Sequence, residues 1–226
     1  QDGMFDDFKI DEVYALHNWP ELPLGTFGVN SGPMMAAVDE FDITVKGKGG
    51  HAASPHLAID PVVISAQVIS AVQTIISRST DPVDKALISI TKINAGTAYN
   101  VIDDQVKMGG TIRTFRRETR AYIEKRLNEL CKGIADAHGA EIKIEFDLVN
   151  KYPPTINSKE ETKFAANVAK DLVGDDKVIT DIDPSMGGED FSYLLEKKPG
   201  SYLYLGQGDA EHSAHLHTTK YDFNDN

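Results

Sequence analysis

The feature that most constrains the fold is the order of elements predicted between residues 39 and 149. Apolar residues alternate with polar ones in four segments, which predicts strands at 40–47, 86–96, 105–115 and 141–149. Two amphipathic helices are predicted between them, one beginning at Pro61 after Asp60 as N-cap and one ending at Gly139. This order is that of the ferredoxin-like split unit, a four-stranded antiparallel sheet with two helices on one face. We therefore expect residues 39–149 to form a self-contained α+β domain.

The flanking segments, 1–38 and 150–226, have the sequence pattern of a second domain. They contain short apolar runs typical of buried strands and a helix predicted at 160–173, which ends at Gly174. We expect these two segments to form an α/β domain into which 39–149 is inserted. Gln1 is not a start methionine and the first residues resemble the end of a helix, so we expect a fragment.

Charge and cysteine usage narrow the function classes. The net charge is −12, and the sequence contains no run of Lys or Arg that would form a basic patch. Both features argue against a nucleic-acid partner. We expect no apolar stretch long enough to cross a bilayer and hence no membrane partner. A single cysteine forms no internal disulfide, so we expect a reducing, cytoplasmic location.

Histidines give the first indication of chemistry. His17 ends the predicted strand 13–17, and ligands of open α/β sheets gather at the carboxyl ends of strands. His217 is the last of three histidines near the end of the chain, after His212 and His215. Imidazole binds zinc, manganese, cobalt and nickel. For each histidine alone, a hydrogen-bonded core or surface group is the more common role, so two of them without a carboxylate or a third ligand are a weak metal signal.

Two glycine-containing loops are the other candidates. His51 follows a glycine pair in the segment GKGGHAASPH, and Gly187 and Gly188 precede a predicted short helix in SMGGEDF. Glycine permits a close approach of backbone to a ligand, and amides at a helix start can bind an anion. Tight turns and a simple helix cap account for the same residues, and spacing leaves both interpretations open.

The ordered set of motifs carries a resemblance. The chain contains, in this order, ALHNWP, GPMMAA, GKGGHAASPH, AYNVI, GGTIRTF, YPPTIN, SMGGEDF and LHTTKYDFND. It resembles the aminoacylase and carboxypeptidase family of two-metal amidohydrolases, in the branch that contains hippurate hydrolase, N-acyl-amino-acid amidohydrolases and auxin-conjugate hydrolases. Each motif is weak by itself, but the set spans nearly the whole chain.

The resemblance implies a metallopeptidase-type catalytic α/β domain that binds two divalent metal ions, zinc, manganese, cobalt or nickel. It also implies that residues 39–149 are a lid that mediates formation of a homodimer or homotetramer. His17 and His217 match metal ligands of the family, whereas His212 and His215 match none and are interpreted as loop residues.

Substrate and catalytic roles follow from the same resemblance. His51 matches a lid histidine that reaches the partner subunit's active site and stabilises the oxyanion. Asn100 and Arg113 match lid residues that bind the substrate's carboxylate, and Gly187 and Gly188 match the loop beside the substrate. The implied reaction is metal-dependent hydrolysis of the amide bond of an N-acyl amino acid, acetyl or aroyl, to a carboxylic acid and an amino acid.

The chain departs from the family in one large respect. The family's other ligands and its general base lie in a histidine–cysteine–histidine–aspartate motif and in a glutamate pair followed by glycines, and neither is present. Cys131 lies on an apolar helix face, and Glu160 and Glu161 open a helix. We therefore expect an incomplete catalytic domain, weak metal binding and an inactive fragment. Two alternatives remain: a non-catalytic dimerisation module, and a carboxypeptidase or dipeptidase that acts on peptides.

Overall fold

The computed structural model describes residues 3–147, 149, 151–209, 211–212 and 214–224. In chain order the strands are β1 Val13–Pro23, β2 Phe27–Gly28, β3 Gly32–Met35, β4 Ala37–Lys46, β5 Gly50–His51, β6 Ala86–Asn94, β7 Val101–Ile102, β8 Gln105–Thr114, β9 Glu141–Phe146, β10 Thr155–Asn157, β11 Val178–Ile179 and β12 Gly200–Gly208. The α-helices are α1 Met4–Asp7, α2 Pro61–Thr74, α3 Arg117–His138, α4 Lys159–Val173 and α5 Ser192–Leu195. The prediction of a mixed α/β chain is confirmed.

The chain divides into two compact units. Residues Ala37–Tyr152 form one, and Gln1–Ala36 together with Pro153–Asn226 form the other. The sequence pattern places these boundaries at 38/39 and 149/150. We call the first the inserted unit and the second the discontinuous unit, and describe each by itself.

The inserted unit is built on a four-stranded antiparallel sheet in the order β6–β8–β4–β9. Alternate residues of β4, Phe41, Ile43 and Val45, are buried against apolar residues of α2 and α3. Strand and helix order follows the predicted pattern, and the apolar faces of the period-2 strands and the period-3.6 helices share one core. A buried ion pair also links α3 to β4. Arg120 of α3 donates from Nε and Nη2 to the carboxylate of Asp39, at 2.6 and 2.5 Å.

Helix α2 begins where the sequence predicts it. The carboxylate of Asp60 accepts the amides of Val62 and Val63, and Pro61 occupies the first helical position. The helix ends in a π-helical turn, Ile75–Ser79. By length and composition alone the segment Pro61–Ser79 could cross a membrane, which corrects the expectation that no stretch approaches that length. Its buried residues, Ile64, Val68, Val72 and Ile75, belong to the core of the inserted unit.

The discontinuous unit contains a mixed sheet in the order β1–β12–β2–β11. β1 runs parallel to β12, with Leu16 opposite Leu203 and His17 opposite Tyr204. Helix α4 packs its alanines on the Leu203 face of this sheet. The opposite face packs Tyr202 and Tyr204 against Met34 and Phe191.

Two local expectations were wrong. The strand that carries His17 extends to Pro23, so His17 lies in its middle rather than at its end. β1 continues through Pro20 to Pro23, with a register irregularity between Trp19 and Pro23. At the N-terminus, Met4–Asp7 begins a one-turn helix after Gly3, where we expected a helix to end.

Candidate functional site

His17 lies among aromatic rings on one face of β1. Its ring contacts those of Trp19 and Tyr202, with centroids 6.1 and 6.4 Å away. Its Nδ1 is 2.7 Å from the carbonyl oxygen of Asn18. A carbonyl only accepts, so Nδ1 carries the proton and the lone pair of Nε2 is left for another partner. Metal-ligating histidines are oriented in the same way by a hydrogen bond from their other nitrogen.

His217 lies in the C-terminal segment, which is tied to the strand of His17. Tyr221 donates to Gln207 Oε1 at 3.0 Å, and Asn18 donates from Nδ2 to the Tyr221 hydroxyl. His217 is exposed and has φ 60°, the left-handed conformation that non-glycine residues rarely adopt. The two predicted metal ligands thus belong to segments joined through Asn18 and Tyr221.

Backbone hydrogen bonds and a side-chain cap hold the glycine loop that contains Gly187 and Gly188. Carbonyl oxygens of Ser185 and Gly187 both accept the amide of Ala36, at 3.0 and 2.9 Å. A Cβ at Gly187 would meet the Met35 Cε at 2.9 Å, and this flexible side-chain end could move aside. Gly188 is half-buried beside it. Helix α5 has only four residues, and Glu189 Oε1 accepts the amide of Phe191, so the turn-and-cap interpretation describes the loop well.

Glu189 and Tyr202 form a contact that the sequence analysis missed. The Tyr202 hydroxyl donates to the Glu189 carboxylate. Burial, followed by this hydrogen bond, raises the pKa of Tyr202. A hydrogen bond with Glu189 raises the pKa of Asp190. The alternation in SYLYLG predicts that Tyr202 and Tyr204 share one face of a strand, but their proximity to His17 depends on the pairing of β12 with β1.

In the inserted unit, His51 and Asn100 come together. β5 pairs with β7, and Ala52 donates its amide to the Asn100 carbonyl at 3.0 Å. His51 Nδ1 accepts the amide of Ala53 at 3.0 Å. A neutral His51 therefore carries its proton on Nε2, as a donor on an exposed side chain. Gly49 is required sterically, because a Cβ there would lie 2.9 Å from the Ile102 carbonyl oxygen.

Arg113 lies near the end of β8, a central strand of the same unit's sheet. It pairs with Val38 on β4 and with Leu87 on β6. Partial burial lowers the pKa of its guanidinium, while Glu40 and Asp39 oppose that shift. Among the described residues, no side chain forms a hydrogen bond or an ion pair with this guanidinium. Within the described part of the chain, Arg113 is thus a half-buried cation near Glu40 and Asp39 without a hydrogen-bonded acidic partner.

The other tail histidines have local partners. His212 Nδ1 is 2.9 Å from Asp209, and His215 Nδ1 is 2.8 Å from Glu21. Their interpretation as loop residues fits these contacts. Within the described parts of the chain, no three His, Cys, Asp or Glu side chains form a metal-binding group.

Sequence comparison gives a match over the whole chain. The profile of Peptidase family M20/M25/M40 matches residues 1–226. Hippurate hydrolase of Campylobacter jejuni is 38% identical over 100% of this chain and 57% of the relative. N-acetyldiaminopimelate deacetylase of Lactobacillus helveticus is 42% identical over 96% of this chain and 56% of the relative.

A solved structure agrees with these matches. A dinuclear metal binding peptidase of the M20 family from Bacillus subtilis is 32% identical, with a TM-score of 0.77 over 95% of this chain and 52% of that protein. The chain thus spans about half the length of the relatives that it matches.

Proposed function

The chain belongs to Peptidase family M20/M25/M40, and on that premise we propose that it forms part of a metal-dependent amidohydrolase of N-acyl amino acids. The proposed reaction cleaves the amide bond and releases a carboxylic acid and an amino acid. The names of two relatives, hippurate hydrolase and N-acetyldiaminopimelate deacetylase, support this substrate class.

The observation that carries the proposal is the state of His17. Its Nδ1 is engaged by the Asn18 carbonyl, so its Nε2 has the lone pair that a divalent ion requires. His217 would be a second ligand, and Asn18, Tyr221 and Gln207 link the segments that carry the two imidazoles. Two ions, zinc, manganese, cobalt or nickel, would supply Lewis acidity and an acidified water when bound.

Within the inserted unit, His51 would stabilise developing charge. Its exposed Nε2–H is a donor suited to the oxyanion of a tetrahedral intermediate, because Nδ1 is already occupied by the Ala53 amide. We propose that it acts in trans, in a homodimer or homotetramer formed through the inserted unit as lid.

Arg113 and Asn100 would bind the substrate's free carboxylate. Arg113 has unpaired donors among the described residues, and a guanidinium can hold a carboxylate in a bidentate grip. Gly187 and Gly188 would border the substrate in the discontinuous unit.

We propose that these 226 residues alone are inactive and bind metal weakly, because among the described residues no third His, Cys, Asp or Glu side chain completes a metal-binding group with His17 and His217. A cytoplasmic location is proposed from the single cysteine. Cys131 is buried, and burial raises its thiol pKa to about 11, so it is an inert protonated thiol.

A chimera tests the proposal. This chain replaces the matched part of Campylobacter hippurate hydrolase, and hippurate hydrolysis is measured with each of the four metals. We expect the chimera to be active and the isolated chain to be inactive. His51→Ala should lower kcat about 10²–10³-fold, and His17→Ala should abolish metal binding in equilibrium dialysis. His56→Ala, a loop histidine of the same segment, is the control.

An active isolated chain, or micromolar binding of two metals by it, would overturn the fragment proposal. An active chimera that tolerates His17→Ala would overturn the metal-ligand assignment.

A further inference from the structure

One face of the inserted unit's sheet carries charged side chains that the core does not use. On β4 and β8, alternate residues such as Phe41 and Ile112 are buried in one core with residues of α2 and α3. Successive side chains of a strand point to opposite faces, so Glu40 and Arg113 lie on the other face of the sheet. We call the face opposite to α2 and α3 the open face.

Glu40 and Arg113 are diagonal neighbours on the open face. Val38 lies opposite Arg113, and Glu40 lies opposite Thr111, in the unbroken register of β4 and β8. Diagonal residues on one face of an antiparallel pair are about 7–8 Å apart, a separation that long side chains can span. The sheet itself therefore holds a carboxylate and a guanidinium side by side.

Neither group has a side-chain partner among the described residues. The side chain of Arg113 is half-buried and that of Glu40 is exposed, and within this part of the chain no hydrogen bond or ion pair joins them. Burial lowers the pKa of Arg113, and the larger opposing contribution comes from Glu40. The second acid that opposes this shift, Asp39, is already bound by Arg120 of α3 at 2.6 and 2.5 Å. Glu40 is thus the acid that remains available beside Arg113.

Apolar residues flank the guanidinium on both sides. Val38 of β4 is buried, and Leu87 of β6 is half-buried and lies opposite Arg113 on its other side. Apolar flanks displace water, and interactions between charges are stronger where water is displaced. A ligand that carries an anion and a cation on a short aliphatic stem therefore matches this part of the open face.

We infer that Glu40 is a specificity-determining residue that binds an ammonium group on the amino-acid half of the substrate. The inference rests on the proposed role of Arg113, which holds the carboxylate of the same half. The flexible four-carbon stem of a lysine-type side chain lets its ammonium group reach the neighbouring acid. The substrate class is then an N-acyl diamino acid. An uncharged side chain of the same length leaves Glu40 without a ligand, and a second carboxylate is repelled by Glu40.

Ligand binding to the chain itself tests the inference without metal or hydrolysis. The probes are Nα-acetyl-L-lysine and Nα-acetyl-L-norleucine, which have side chains of the same carbon length with and without an ammonium group. The Nε–H signal of Arg113, assigned by its absence from Arg113→Met, is followed by NMR at low salt and neutral pH. We expect the Kd of the lysine derivative to be about two- to fivefold lower, which is the effect of one exposed ion pair. Glu40→Gln should make the two Kd values equal.

Asp42→Asn is the matched control. Asp42 is an exposed acid two residues further along β4, on the same face as Glu40. Its replacement removes the same charge as Glu40→Gln, so any attraction of the lysine derivative by the net charge of −12 changes equally in both variants. Asp42→Asn should keep the preference of the wild type. Circular dichroism melts check that both variants are folded.

The outcomes separate this inference from the proposed reaction. Equal Kd values in the wild type, a preference that survives Glu40→Gln, or an equal loss of preference in Asp42→Asn overturns the role of Glu40 and leaves that of Arg113 intact. An Arg113 signal that shifts with neither probe overturns both roles. An inactive chimera would contradict the proposed hydrolysis and would leave this binding preference unaffected.

Discussion

Tyr221 donates a 3.0 Å hydrogen bond to the side-chain carbonyl of Gln207, a buried residue of β12. Asn18 donates to the same tyrosine hydroxyl and, at 3.5 Å, to the same Gln207 oxygen. Asn224 donates to the Gln207 backbone carbonyl at 3.2 Å. One buried glutamine therefore fixes the segment after His217 to the residue after His17.

Tyr221→Phe removes the hydroxyl from this network. The Gln207 oxygen loses its shorter hydrogen bond while it stays buried, so we expect a loss of about 1–3 kcal/mol in the free energy of unfolding. Amides of residues 214–224 should exchange faster with solvent, whereas those of α3 should not change. Urea denaturation and hydrogen exchange measure the two effects. Tyr99→Phe, on a fully exposed loop residue, is the control, and an equal effect there would contradict the role of the network.

Arg120→Met breaks the ion pair inside the inserted unit. Asp39 is 4% exposed and would remain a buried carboxylate, with Lys151 3.9 Å away as its remaining ion-pair partner. Removing one partner of a buried pair typically costs about 3–5 kcal/mol. We expect the free energy of unfolding to fall by an amount near the lower end of this range, because Lys151 still partly neutralises the Asp39 carboxylate.

The matched control is Lys132→Met on the same helix. Lys132 pairs with Asp136 at 2.6 Å, but both side chains are exposed. Exposed pairs contribute about 0–1 kcal/mol, so this variant should unfold in urea close to the wild type. Similar losses for the two variants would show that burial of the Asp39 pair is energetically unimportant.

The tail should be most strongly protected in a defined pH window. Amide and imidazole hydrogen bonds from His212 lower the pKa of Asp209 from 3.8 to about 2. The stability that ionised Asp209 contributes to the tail is therefore lost as pH falls through about 2. The hydrogen bond to Asp209 raises the pKa of His212 above 6.5. The stability that protonated His212 contributes to the tail is lost as pH rises through this raised pKa. Both contributions are complete between pH 3.8 and 6.5.

Exchange of the His212 amide, corrected for its intrinsic pH dependence, checks this expectation. Its protection should be greatest inside the window and should fall on either side. In Asp209→Asn the charge is absent, so the profile should become flat. A wild-type profile that is already flat would contradict the proposed pairing.

Much of the inserted unit could be predicted because local signals agree with the final packing. The Asp60 cap and the positive φ of Gly139 fix the start of α2 and the end of α3, while alternation fixes the inward faces of the strands. β1 was predicted too short, since its continuation depends on pairing with β12, almost 190 residues later in the chain. Sequence pattern alone does not encode such a partner.

The candidate site was less accessible to sequence reasoning. The histidines were identified by motif, but the link between the segments of His17 and His217 is a long-range contact between Asn18 and Tyr221. The contact of Glu189 with Tyr202 depends on the fold of the glycine loop. The roles of His51, Asn100 and Arg113 remain predictions.

Replacement by alanine should have opposite effects on stability at two glycines. A Cβ at Gly200 would lie 1.9 Å from the Val13 carbonyl oxygen, so β1 and β12 would have to separate at their first pair. We expect Gly200→Ala to cost about 2 kcal/mol or more. A Cβ at Gly133, in the middle of α3, meets nothing within 4 Å. There the loss of backbone freedom in the unfolded chain should make Gly133→Ala stabilising by about 0.5–1 kcal/mol. Urea denaturation of the two variants measures both signs, and destabilisation by Gly133→Ala would indicate that another element covers this part of α3.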